Sequence, residues 1–340
     1  IGGASQYTCT GNNALPPYCV NTATSTIAVY PDPSVTIAPD NPTINAGQIQ
    51  QLTANYFAGY DNGPLVNSPG TGAGGLDESF LISPLTLYGS NFDRDGGFSM
   101  ADDFTVTGTD WNINSMEFYG YETNSGNTPT ITGVYVRIWN GNPSSGGTVI
   151  WGDSITNRMA SVSFANIYRA DVHLNTARPI MKIIANTSGL VLSPGTYWVE
   201  VAATGSASFT GPWAPPITIN GQNITGNGLQ FTTGAWQAWL SGTAPDQYQQ
   251  GLPFKVNHWE PADITWSPAT GLYTDAAATI PYVAGTPATV VYAKPSSTIT
   301  YTATATGTVS GCVGSDDVTV TVLSPMTVDG TPANASCPSA

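Results

Sequence analysis

Basic residues are scarce in this chain: eight Lys and Arg stand against 22 Asp and Glu, a net charge of −14, with none before Arg94. Such a surface repels polyanions, which excludes nucleic acid and anionic membranes as partners. Charged residues of either sign make up only 9% of the chain, about a third of the usual share. The solvent faces must therefore be built from Thr, Ser, Asn, Gly and Gln; Thr suits strands, while Ser, Asn and Gly favour turns over helices. A period of 3.6 residues is almost absent, which argues against helices. No apolar run approaches the roughly 20 residues that a membrane-spanning helix needs. The opening Ile1-Gly-Gly-Ala-Ser5 has neither a basic nor an apolar leader region, so any export signal was removed or lies upstream. With only His173 and His258, and no CxxC pair, a zinc site is excluded. There is no G-x-S-x-G elbow, and the two isolated histidines argue against a nucleophilic triad. Glu78, Glu117, Glu122, Glu200 and Glu260 are scattered outside any motif, whereas hydrolysis by paired carboxylates needs a fixed separation. The expectation is a protein that is not an enzyme and needs no cofactor, calcium excepted.

What is present is apolar and aromatic. Apolar residues are 41% and aromatic residues 10% of the chain, enough to build cores and too much for disorder. Short alternating runs bounded by Gly, Pro and Asn recur: Ile49–Ala54, Phe104–Val106, Ser115–Tyr121, Gly133–Trp139, Met181–Ile184, Thr196–Val201, Ile217–Ile219, Thr298–Ala303 and Val318–Val322. These predict an all-β chain, and 340 residues suggest two or three domains. Low Lys with high Thr and Asn is the composition of secreted or cell-surface β proteins. The four cysteines, Cys9, Cys19, Cys312 and Cys337, sit only near the two ends. Disulfides in an oxidising compartment are the expected use; Cys9 and Cys19 could close a hairpin, and Cys312 and Cys337 are less obviously partners.

One pattern occurs twice. Tyr7-Thr-Cys9-Thr, Cys19-Val20 and Thr26-Ile-Ala-Val29 match Tyr301-Thr-Ala-Thr, Cys312-Val313 and Thr319-Val-Thr-Val322. Counted from Cys19 and Cys312, Val20, Ile27 and Val29 fall on Val313, Val320 and Val322. Each copy reads as two strands and a turn. Residues 1–33 are therefore expected to be the closing hairpin of a preceding domain, and 324–340 a linker and the start of a next one, so that the chain is one period of a longer array.

The segment 34–54 reads as the opening strands of a sandwich, punctuated by Pro39, Pro42 and Gly47. Its natural continuation is 258–323, with Ile264-Thr-Trp-Ser-Pro-Ala-Thr-Gly-Leu-Tyr273 and the Cys312 hairpin. The joined segments make about 80 residues, one small sandwich. Trp266-Ser-Pro-Ala-Thr-Gly-Leu272 and the Tyr–Cys–Val hairpin resemble the immunoglobulin-like repeats of giant secreted Bacteroidetes proteins. The likeness covers roughly a quarter of the chain. It implies export by the type IX, gliding-associated system, a place outside the cell or on its surface, and a part in an adhesin. That family often carries a cysteine before the Ala46-Gly47 turn; here the residue is Asn45, which leaves Cys312 without its usual partner. The insert, 55–257, holds Met100-Ala-Asp-Asp-Phe104, Val136-Arg-Ile-Trp-Asn-Gly141, Asn157-Arg-Met-Ala160, Pro194-Gly-Thr-Tyr-Trp-Val199 and Gly211-Pro-Trp-Ala-Pro-Pro216. It is similar to a jelly-roll-like β-sandwich found in many secreted bacterial proteins. Insertion into a loop costs little when the termini of the inserted domain lie close together.

Three constellations invite chemistry. Asp93-Arg94-Asp95-Gly-Gly97, with Asp102 and Asp103 close behind, has spacing that suits a loop wrapping calcium, although it lacks the other EF-hand ligands and Asp residues also form ordinary turns. Trp213, Trp236 and Trp239, with Trp259 and Tyr248 nearby, would stack on a polysaccharide if exposed, whereas Trp in a sandwich more often fills the core. Trp198 alternates with Tyr197, so one of the two faces inward; Trp266 is expected to be the inner Trp of the smaller sandwich. Asp153-Ser154-Ile155 matches the O-glycosylation pattern of the same phylum, on Ser154. Asn186, Asn223 and Asn334 head N-glycosylation sequons, which matter only in a host with that machinery. The leading expectation is a structural or adhesive repeat unit, joined to neighbouring repeats or identical subunits through its terminal strands. The alternative is a carbohydrate-binding module on an immunoglobulin-like stalk.

Overall fold

The computed structural model describes residues 33–323 in full and the strands Gly3–Asn12 and Val20–Val29 by their backbone. The chain is all-β: among the described residues, the short 3-10 turn Ala73–Gly75 is the only helical element. Two compact units emerge, Phe57–Glu260 and the pair of segments Ser34–Tyr56 and Pro261 onward. The chain passes between them inside the strand Gln50–Asp61 and again after Glu260; the sequence predicts an insert over 55–257.

In the smaller unit, Ala262–Ser267, Ile299–Gly307 and Val313–Leu323 pair antiparallel in that order, and Thr43–Asn45 adds in parallel along Thr321–Leu323. Alternation sorts the side chains: Tyr301, Ala303 and Ala305 are buried, while the threonines between them face outward to differing degrees. Trp266 is 1% exposed and lies across from Ala303, a large ring over a small residue, as close packing requires. Its indole donates to the Ala288 carbonyl at 2.8 Å, so its one polar atom is satisfied.

The N-terminal hairpin pairs Tyr7 with Ser25 and Asn12 with Val20. The Cys312 hairpin pairs Tyr301 with Val318 and Thr306 with Val313. Ser25 and Val318 stand equally far beyond Cys19 and Cys312, as do Val20 and Val313. The two hairpins share one register, and the first has one more residue in sequence between its paired strands.

Two large sheets make up most of the larger unit, beside the small hairpin sheet of Leu240–Thr243 and Asp246–Gln249. One runs, in order, Val149–Gly152, Gly133–Trp139, Gly195–Thr204, Ser99–Val106, Leu229–Thr232 and Ala235–Ala238, antiparallel throughout. The other includes Phe254–Trp259, Trp111–Thr123, Pro179–Leu192, Met159–Ala170 and, in parallel, Asp77–Phe80. Val134, Val136 and Ile138 alternate inward from the first sheet, with Val199, Val201 and Ala203 beside them and Met100 and Phe104 next. They meet Ile113, Phe118, Ile183 and Phe254 from the second. Each fully buried aliphatic or aromatic side chain contributes about 1.5–3 kcal/mol, and this core fixes which residues are left on the outer face.

Candidate functional site

Asp93 closes its own turn: its carboxylate accepts from the backbone N–H of Asp95 at 3.2 Å and of Gly96 at 3.1 Å. Asp95 accepts from Arg94 Nε at 2.8 Å. Asp102 is 1% exposed and turned inward, where it accepts from Leu252 N at 2.7 Å, Asn62 Nδ2 at 2.9 Å and Asp103 N at 3.0 Å. Burial pushes its pKa up to about 7 against the pull of those donors. The four aspartates therefore do not form the calcium set that their spacing suggests, because neighbours on a strand face opposite sides and Asp102 is spent in the interior. Among the described residues, no three His, Cys, Asp or Glu side chains gather as metal ligands would.

The three tryptophans do not form a platform either. Trp239 is 1% exposed, packed in the main core with its indole donating to Ser90 Oγ at 2.7 Å; it cannot stack on a ligand. Trp213 packs on the cluster of Leu65, Tyr121 and Ile180, and its indole donates to the Thr210 carbonyl at 2.8 Å. Trp236 is partly exposed and packs instead with Ala101, Trp198 and Leu229. Of the pair on one strand, Trp198 is 5% exposed and belongs to that same outer cluster. Ser154 is exposed in a turn held by Asp153, whose carboxylate accepts from Ile155 N, Thr156 N and Thr156 Oγ1. Those bonds draw the Asp153 pKa down to about 2. Among the described residues Cys312 makes no disulfide; the side chains of Cys9, Cys19 and Cys337 lie outside the described residues.

The outer face of the six-stranded sheet carries the richest chemistry. Tyr135, Arg137 and Trp139 alternate outward along one strand because Val134, Val136 and Ile138 take the core. Register then sets Arg137 beside Glu200 and Trp139 beside Trp198, and Phe231 between Ser99 and Trp236. Glu200 is 2% exposed and accepts three bonds: from Ser99 Oγ at 2.7 Å, from Trp139 Nε1 at 2.9 Å and from Arg137 Nη2. The Trp139 and Trp236 rings meet edge to face with centroids 6.3 Å apart. Arg94 lies over the Tyr135 ring, 4.3 Å from its centroid, a cation–π contact. Between these groups and the Asp153 turn opens a cleft of about 400 Å³, lined by Arg94, Tyr135, Arg137, Ser154, Glu200 and Phe231 among others.

Of the residues singled out from sequence, Ser154 lines this cleft and Trp236 flanks it. Arg137 and Trp139 fall within the Val136–Gly141 run noted from sequence, whereas Tyr135, Glu200 and Phe231 carry no motif. Their signal is an alternation in which one side of a strand is uniformly Val and Ile while the other mixes aromatic and charged residues. No protein-family model, curated protein or solved structure matches this chain.

Proposed function

We propose that the chain is a non-catalytic structural and adhesive repeat unit of a large extracellular bacterial surface protein or fibre, joined to its neighbours through terminal strands. The observation that carries this reading is the shared register of the two hairpins, Tyr7 across from Ser25 and Tyr301 across from Val318. Two segments far apart in sequence, with matching Tyr, Cys and Val positions and the same pairing, are what tandem copies of one immunoglobulin-like unit provide. In this reading the first hairpin adds strands to an adjacent copy, main-chain hydrogen bonds supplying the affinity. Sedimentation of the full chain and of a form lacking residues 1–30 tests it. Concentration-dependent association that disappears with the hairpin is expected; a chain that stays monomeric at every concentration contradicts it.

A second reading, carbohydrate recognition by the larger unit as a jelly-roll-like module, is favoured by one observation: the cleft combines hydrogen-bonding side chains with the Phe231 and Tyr135 rings. Small-ligand sites are clefts of roughly this size in which a few polar groups orient the ligand. A glycan array probed with the intact protein tests it, with loss of binding on Phe231→Ala as the expected result and no bound glycan as the contrary one.

A further inference from the structure

We propose that the cleft beside Arg94 and Arg137 recognises the carboxylate of an acidic saccharide, a uronic-acid residue within a polysaccharide chain; this rests on the reading of the larger unit as a carbohydrate binder. The carboxylate acceptors are already engaged. Glu200 already takes bonds from Ser99, Trp139 and Arg137. Asp153 takes them from Ile155, Thr156 and Arg158.

The donors are not spent. Arg137 gives only Nη2 to Glu200 and keeps Nε and Nη1 without a partner among the described residues, with its side chain 31% exposed. Arg94 gives Nε and Nη2 to Asp95 and keeps Nη1. Tyr135 is only 8% exposed, yet its hydroxyl has no hydrogen-bond partner among the described residues. That hydroxyl is therefore available to a ligand.

A neutral sugar presents hydroxyl donors as well as acceptors, and those donors would meet carboxylates already occupied. A carboxylate presents acceptors only, and the unspent N–H groups of Arg137 and Arg94 can each give it a charge-assisted hydrogen bond. The chain places two of its eight basic residues in this one cleft despite a net charge of −14. The same lining holds two carboxylates, Glu200 and Asp153, each already engaged by an arginine and by other donors, and repulsion from acidic surface farther off is screened beyond about 10 Å at 0.1 M salt.

Saccharide is favoured over peptide by position. The cleft lies over the middle strands, Gly133–Trp139, Gly195–Thr204 and Ser99–Val106, rather than along a sheet edge. A peptide captured by strand addition needs a free edge, whereas a pyranose needs only ring faces and side-chain hydrogen bonds. Phe231, paired across from Ser99, supplies such a face.

Isothermal titration of the intact chain with oligogalacturonate, with its methyl ester and with a sulfated oligosaccharide decides the matter. The uronate should bind, the methyl ester about tenfold or more weakly, and the sulfated sugar more weakly than the uronate. Arg137→Ala and, separately, Arg94→Ala should each lower uronate affinity about tenfold, with melting temperature checking that both variants fold. The partly exposed Arg94 keeps the test open if Arg137→Ala unfolds. Equal affinity for acid and ester would overturn this proposal and leave carbohydrate recognition standing. Preference for the sulfated sugar, or for an acidic peptide in a parallel titration, would also overturn it. Absence of binding to every saccharide would overturn both readings together.

Discussion

Glu200 organises the outer face through one buried carboxylate that holds Ser99, Trp139 and Arg137 at once. Glutamine at this position would turn an N–H group toward donors. Glu200→Gln is therefore expected to destabilise the protein by about 2 kcal/mol, read from the urea midpoint, and to release Arg137 from its fixed pose. Asp102 makes a different prediction. Its pKa is about 7 in the folded chain against an ordinary 3.8, so the fold favours the neutral acid. The stability it contributes is full below about pH 4 and is lost as pH rises through 7. Thermal melts from pH 4 to pH 8 should show that decline, and Asp102→Asn should remove its share while melting lower throughout, because three donors lose a full acceptor. An unchanged pH slope in the variant would contradict the assignment.

At the scale of the element, Arg169 acts as a strap. It is 1% exposed and donates to the carbonyls of Tyr88 at 2.9 Å, Leu87 at 2.6 Å and Ser79 at 3.2 Å, tying the loop before Ser90 to the strands Met159–Ala170 and Asp77–Phe80. Burial without a neighbouring carboxylate lowers its pKa to about 10, still far above neutral. Arg169→Met keeps the apolar stem but leaves three carbonyls without their donor, and should cost about 3 kcal/mol in chemical denaturation. Gly152 pairs with Arg137 at φ +79°, and a Cβ there would lie 2.1 Å from the Val136 carbonyl oxygen. Gly152→Ala should therefore displace the Asp153 turn, and with it one wall of the cleft, seen as a changed proteolysis pattern at 153–156. The strands themselves were legible, because alternation is local: Gly133–Trp139 is bounded identically in sequence and structure. The inward Trp239 was not, since its place is set by Gly228 and by the Ser90 hydroxyl, contacts far away along the chain. The aspartates mislead for a simpler reason. Spacing in sequence suggests a cluster, but Asp102 and Asp103 are strand neighbours and must part company.

At the scale of the molecule, the chain interrupts one compact unit with another, crossing within Gln50–Asp61 and after Glu260. The crossing was legible because the sandwich pattern breaks off and resumes. The cleft was not, because it is assembled from strands that become neighbours only after folding: Arg137 and Glu200 meet across a long sequence gap. The hairpin echo is legible at both levels, since the matched Tyr7 and Tyr301, Val20 and Val313, and Ile27 and Val320 also share a pairing register. A repeat of this kind predicts that peptide mapping without reduction finds Cys9 or Cys19 bridged to Cys337 of another copy, whereas a Cys9–Cys19 link within one chain would remove that bridge. Electron micrographs of the native assembly test the repeat most directly. Filaments or stalks with a regular axial spacing of one unit per period are expected, and isolated particles without axial order would contradict the repeat.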